Sequence, residues 1–362
     1  MTNDSKSLEV LFAQADACLG NGLVGEAESR YRQLLIDYPG NFRALYSLGR
    51  ALELQARTGE AITAYDGAIA VNPGHAFPFT RRSVLAFRRA FGPPPAPLKT
   101  SSATPRITMS TLGSNGRFGN QLLQYGFLRM YAAEHGLAVD APDWIGRDLF
   151  DLDDPLPATP LPEISEQDAD LPASLNREVA QVYKNVDLWG YCCYHTARLG
   201  RYRDFFRGLY RPGRRVATLV EPAVAKLRDG GATLVAIHLR RGDFGQGQFW
   251  IAPGDWYGRW LDTLWPKLNR PRLYVATDDP GVVAELARFQ PVVAADLDVV
   301  IPGAEYYLDF HVLAAADALA ISNSTFSFVA GMLNGRAREF MRPDRTCAQL
   351  LPFDPWNAPV LL

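Results

Sequence analysis

Residues 233–244 read Thr-Leu-Val-Ala-Ile-His-Leu-Arg-Arg-Gly-Asp-Phe, an apolar run that closes on His238, Arg240, Arg241 and Asp243. Guanidinium suits a two-pronged grip on phosphate or carboxylate, so the chemistry these side chains fit is a fixed anion site. In extended backbone His238 and Arg240 share one side and Arg241 takes the other. Arg240 is therefore the candidate for the anion and Arg241 for pairing with protein. The alternative for both is an ion pair with Asp243 that only anchors the strand end.

Two further stretches carry related chemistry. Gly113-Ser114-Asn115-Gly116-Arg117-Phe118-Gly119-Asn120-Gln121 is a glycine-punctuated loop between an expected strand at 107–112 and an expected helix at 120–134, closed by Gly136. That layout brings backbone N–H groups and a helix N-terminus to an anion. Arg117 and Asn120 are its candidates, with helix capping as the alternative for Asn120. The spacing is not Gly-x-Gly-x-x-Gly, and no lysine completes a phosphate loop. Later, Ser322-Asn323-Ser324-Thr325-Phe326-Ser327 gathers five hydroxyl or amide side chains in six positions at a helix start. One cap residue would suffice there, so the stretch reads as a donor set for a diphosphate or ribose.

The elements that must position these groups alternate. The run 234–237 is too short for a helix and follows the Gly230-Gly231 turn, so it is expected to be a strand buried on both faces. A helix at 255–268, a strand at 273–276, a helix at 281–289, a strand at 292–294, a helix at 306–317 and a strand at 318–321 follow. Such alternation predicts a parallel sheet, and ligands of open parallel sheets lie outside the carboxyl ends of the strands. His238, Arg240 and residues 322–327 all fall there.

Upstream, Gly25, Glu26, Ala27, Tyr31, Pro39 and Gly40 recur as Gly59, Glu60, Ala61, Tyr65, Pro73 and Gly74, an offset of 59 − 25 = 34 residues. That period resembles the tetratricopeptide repeat, a stack of antiparallel helix pairs. Two copies bury too little alone, so a helix at 79–91 is expected to cap them. The implied roles are partner binding or a structural cap on the neighbouring domain. Residues 92–106 are proline-rich and then polar, a linker by composition.

The 362 residues carry a net charge of −2 and are 48% hydrophobic, with a pI near 6.2. That balance excludes nucleic acid as the main partner. The first residues lack a basic segment followed by an apolar one, so a cytoplasmic protein is expected. Cys18, Cys192, Cys193 and Cys347 form no Cys-x-x-Cys pair, and the five histidines are scattered, so neither disulfides nor a metal site is expected. Residues 151–172 hold seven carboxylates, five prolines and no basic residue. Asp151-Leu152-Asp153 and Asp296-Leu297-Asp298 have the Asp-x-Asp spacing of metal-dependent sugar transferases but are read as surface charge. The aromatic runs 186–194 and 202–210 suit sugar stacking or core packing.

Five stretches, in order, resemble the α-1,2-fucosyltransferases over about residues 107–335: Gly116-Arg117-Phe118-Gly119-Asn120-Gln121-Leu122 with Gln124-Tyr125; Trp189-Gly190-Tyr191; His238-Leu239-Arg240-Arg241-Gly242-Asp243; Ala276-Thr277-Asp278-Asp279-Pro280; and Ile321-Ser322-Asn323-Ser324-Thr325-Phe326-Ser327. The resemblance implies an α/β chain of two Rossmann-like domains (GT-B) behind the small all-α repeat domain. The expected domains are 1–91, linker 92–106, acceptor-side 107–215 and donor-binding 216–362. It also implies GDP-fucose as donor, inversion at the anomeric carbon, a glycan acceptor and no metal. Arg240 would hold the β-phosphate, with Arg117, Asn120, Ser322, Asn323, Ser324 and Thr325 completing the cradle, and His238 and Asp278 would hold the guanosine. Asp243 is the expected base, though a carboxylate beside guanidinium accepts a proton poorly. Phe328-Val329 and Cys192-Cys193 depart from the family pattern and bear on acceptor choice. A lipid-linked acceptor would bring the protein to a membrane surface. The alternatives are a protein or peptide O-fucosyltransferase, and an inactive binding module.

Overall fold

The computed structural model describes residues 3–99, 104–247 and 249–362, with side chains from residue 8 onward. Of the expected linker, residues 100–103 lie outside the described residues. The chain divides into two compact units, Met1–Pro93 and Pro94–Leu362.

The first unit is five helices: α1 Asn3–Gly20, α2 Val24–Asp37, α3 Phe42–Leu54, α4 Thr58–Val71 and α5 Ala76–Phe91. α4 begins and ends 34 positions after α2, as the repeat requires. The recurring Ala27/Ala61 and Tyr31/Tyr65 are fully buried. Gly49 shows why a small residue stands at the crossing, since a Cβ there would lie 2.5 Å from the Tyr65 ring. α5 closes the stack, with Arg81 paired to Glu53 of α3.

The second unit contains two sheets. The first joins β1 Arg106–Thr108, β2 Ala138–Asp140, β3 Glu163–Ser165 and β4 Val186–Trp189 in the order β2-β1-β4-β3, all parallel. The second joins β5 Thr233–Leu239, β6 Pro271–Thr277, β7 Ala318–Ala320, β8 Glu339–Asp344 and β9 Gln349–Pro352 in the order β6-β5-β7-β8-β9. Only its last pair, β8 with β9, is antiparallel. β5 is central, and Leu234, Val235, Ala236, Ile237 and Leu239 are fully buried. This is a mixed α/β protein with parallel sheets that follow a helical repeat unit in the sequence, as expected.

In the second sheet the chain runs from β5 outward to β6, then crosses back to β7 on the other side of β5. The carboxyl ends of β5 and β7 thus flank a topological switch point, where open α/β sheets form their ligand crevice.

Several boundaries differ from expectation. The strand expected at 292–294 is a single bridge, Tyr274 to Val292; Asp296 takes the Val293 N–H at 2.9 Å and turns the chain away. The helix Gly254–Leu264 stops early and continues as a short 3₁₀ turn, Trp265–Lys267, because Pro266 has no N–H to extend it. The expected division at 215/216 falls inside the helix Arg214–Leu227. The C-terminal segment also returns to the first half, where Ala358 and Thr196 exchange hydrogen bonds at 3.0 Å and Trp356 packs on Phe206. Among the described residues no helix is long and apolar enough to cross a membrane.

Candidate functional site

At the end of β5 the backbone leaves the sheet and Arg240 emerges. Its guanidinium is held from two sides: Nη1 lies 2.5 Å from Asp278 Oδ2, and Nη2 lies 2.5 Å from Asp243 Oδ1. Asp278, just beyond β6, also accepts the Arg241 N–H at 2.7 Å. Both its oxygens therefore have partners within the protein, and one of them orients Arg240. Arg241 Nη1 donates to the Arg240 carbonyl at 3.4 Å. Asp243 Oδ2 lies 3.2 Å from Arg117 Nη2. Thus Arg117, Asp243, Arg240 and Asp278 form one alternating ion ladder across both halves of the unit. Burial lowers the Arg117 pKa, and Asp243 opposes the shift.

The glycine loop is built as a close approach. Gly116 sits at φ +82°, and a Cβ there would lie 2.4 Å from Asn120 Nδ2, so the turn requires glycine. The helix that follows, α6 Phe118–His135, has no side-chain cap at Arg117. Asn120 is therefore not the cap considered from sequence; its Oδ1 is buried without a hydrogen-bond partner among the described residues. Gly119 lies against the opposite helix, Thr325–Leu333: a Cβ on it would fall 2.5 Å from the Phe326 nitrogen and 2.6 Å from the Thr325 carbonyl carbon. The N-termini of two helices, one from each half, consequently meet beside the ion ladder. Their aligned peptide dipoles favour negative charge there.

The polar run after β7 divides its labour. Ser322 Oγ is 2.8 Å from His238 Nδ1, and the imidazole packs against Phe326, centroids 5.2 Å apart and rings tilted by 38°. Burial, then Arg240 and Arg241, push the His238 pKa down to about 3, so it is a neutral positioning group and no proton acceptor near pH 7. Ser324 caps the helix by accepting from Phe326 N at 3.4 Å. Asn323, expected on the ligand, uses its amide on Leu362, accepting that residue's N–H at 2.9 Å. Thr325 stands at the first helical position and is half-buried.

Two side chains given no individual role from sequence tie the first sheet's strand ends together. Gln124 Nε2 donates to the Asn115 and Gly190 carbonyls at 3.0 and 2.9 Å. Glu166 accepts the N–H groups of Tyr191 and Cys192 at 2.7 and 3.1 Å, and with Asp168, Asp170, Tyr194 and Arg198 it lines an open depression of about 400 Å³. Glu166 lies within the carboxylate-rich stretch 151–172, one residue past β3, and that position gave no signal because the strand is only three residues long. The Asp-x-Asp pairs do structural work: Asp151 accepts the Arg214 N–H at 3.0 Å, and Asp296 holds Val293. Among the described residues no cluster of histidines, cysteines and carboxylates has metal-site geometry. Burial pushes the Cys193 thiol up to about 12 and raises that of Cys192 well above its ordinary value, so neither is a nucleophile.

The tetratricopeptide-repeat family model matches residues 12–76. No curated protein matches the chain. Solved structures with similar coordinates include the fucosyltransferase NodZ from Bradyrhizobium, 12% identical over 69% of this chain and 99% of that one at a TM-score of 0.45. Another is Arabidopsis thaliana FUT1 in complex with GDP, 14% identical over 74% of this chain and 75% of that one at a TM-score of 0.46. At such scores no residue of either is matched to a residue here.

Proposed function

We propose that the chain is an inverting glycosyltransferase that moves L-fucose from GDP-fucose to a glycan hydroxyl, with α-1,2 linkage to galactose as the expected product. The observation that carries this reading is the placement of Arg240 at the β5/β7 switch point, beside two helix N-termini and opposite Arg117. Breaking the sugar–phosphate bond leaves negative charge on the β-phosphate while the sugar becomes oxocarbenium-like. A preorganised guanidinium aimed at that developing charge lowers the barrier without moving at the moment of reaction. Arg240 fills that role, Arg117 and Thr325 complete the cradle, and Asn120 stands beside it in the first turn of α6. The five ordered sequence motifs supply the guanosine and fucose parts of the reading, and the linkage. Because guanidiniums take the leaving group's charge, the step is proposed to run without a metal, and EDTA should leave turnover unchanged.

The depression at Glu166 lies on the same strand-end edge, two strands from the glycine loop, or roughly 10 Å at ordinary strand spacing. Its carboxylates and tyrosine suit sugar hydroxyls, which supports acceptor binding in the first half. A second reading, transfer to a polypeptide, is favoured by the repeat unit at residues 12–76.

A thermal-shift screen of GDP-fucose, GDP-mannose and UDP-sugars tests the donor. Stabilisation by GDP-fucose beyond the others is expected, and none from GDP-fucose would overturn the proposal. Galactosides offered beside polypeptides then separate the acceptors.

A further inference from the structure

We infer that Asp243 is a built-in stand-in for the diphosphate: its carboxylate occupies the seat between Arg117 and Arg240, and an incoming diphosphate expels it. The inference rests on the anion seat proposed above and adds what fills that seat beforehand.

The geometry separates Asp243 from Asp278, although both touch the same guanidinium. Asp243 gives one oxygen to each half of the unit, Oδ1 to Arg240 at 2.5 Å and Oδ2 to Arg117 at 3.2 Å. Spanning two guanidiniums across a cleft is the work a diphosphate would do, with more charge and more oxygens. Asp278 instead stays within one half. It is tied to the Arg241 backbone at 2.7 Å, and Gly242 is so close that a Cβ there would lie 2.5 Å from Asp278 Oδ2. No side chain could occupy that gap without displacing it, so Asp278 is a fixed positioning group. Asp243 is the more exposed of the two, 41% against 27% for the side chain. It stands in a turn bounded by Gly242 and by Gly245 at φ +127°, backbone that can absorb its departure.

Two carboxylates on one arginine should therefore have opposite effects on anion binding. Removing Asp278 frees Arg240 to wander and weakens the seat. Removing Asp243 deletes a competitor already in it, and charge-assisted bonds to guanidinium are strong enough that the gain should be readily measured.

The test is calorimetric titration of the full-length protein with inorganic pyrophosphate, at fixed salt, for the wild type, Asp243→Asn and Asp278→Asn. Asp243→Asn should bind about tenfold tighter than wild type, and Asp278→Asn more weakly. Asp243→Ser, which removes the same charge with a different shape, should move in the same direction as Asp243→Asn. Thermal melting of each variant establishes that it is folded. Equal or weaker binding by both Asp243 variants would overturn the inference, as would an equal gain in Asp278→Asn, which would mark a general charge effect. Guanosine is judged separately: GDP no tighter than pyrophosphate in any variant would remove GDP-fucose as donor and leave the occupied seat standing.

Discussion

Arg240 is braced by two carboxylates before any ligand arrives, and that bracing decides what its loss should do. A ground-state contact to a charged group is worth roughly 1.5–3 kcal/mol, whereas a group aimed at charge that develops in the transition state is worth about 10²–10³ in rate. Arg240→Ala should therefore lower kcat more than it raises KM for GDP-fucose. Steady-state kinetics at varied donor check this, and equal losses in both would mean that Arg240 holds only the ground state. At this scale the sequence showed which residue types end each strand, because polarity at a strand end is a local pattern. It could not show who pairs with whom. Ser322 turns to His238, 84 positions away, Asn323 to Leu362, and Asp278 to the backbone after β5. Each choice is made by packing that brings distant segments together.

Two helices carry the next scale. The meeting of α6 with Thr325–Leu333 depends on Gly119, where an added methyl would press on backbone atoms that cannot step aside. Overpacking of this kind costs typically about 1–3 kcal/mol. Gly119→Ala should lower the melting temperature and, by parting the two N-termini, weaken GDP binding more than tenfold in a titration. Gly208→Ala is the contrasting case: its Cβ meets nothing within 4 Å in the last turn of the helix Arg203–Leu209, so it should be neutral or stabilising. The helix Tyr307–Ala315 holds a different strain. Burial raises the Asp309 pKa to about 6, although the Tyr274 hydroxyl donates to it at 2.6 Å. The folded state keeps this proton to higher pH than the unfolded chain does, so stability falls as pH rises from about 4 to about 6. Asp309→Asn should therefore gain on the order of 1–3 kcal/mol over wild type at pH 7 and nothing at pH 4, as read from denaturant melts. The nearby His311, held down to about 4 by burial, is common to both proteins and cancels in the difference. Helix existence was legible from periodicity and glycine stops, α6 ending at Gly136 with φ +64°. The strand lost at 292–294 was not, because a side-chain bond from Asp296 outcompeted the ladder.

For the molecule as a whole, the 34-residue repeat and the βα alternation were legible because each is a periodic signal. The return of the C-terminal segment to the first half was not, since nothing local marks Thr196 and Ala358 as partners. The second unit contains every residue of the proposed donor site. Residues 94–362 produced alone should therefore keep the thermal shift with GDP-fucose. Loss of that shift would show that the repeats are needed for the donor site itself, and loss of turnover on polypeptides alone would assign them to the acceptor.

The contact of Gly119 with Phe326 joins positions 326 − 119 = 207 residues apart. Closing so long a segment costs chain entropy that is repaid only when both sheets already stand, so topology makes such contacts late. On the ribosome or in a refolding tube, secondary structure and the apolar cores can form while the crevice does not yet exist. The ability to bind nucleotide should thus appear last, after far-ultraviolet ellipticity has recovered, and nucleotide capture becomes a clock for the final docking step of the chain.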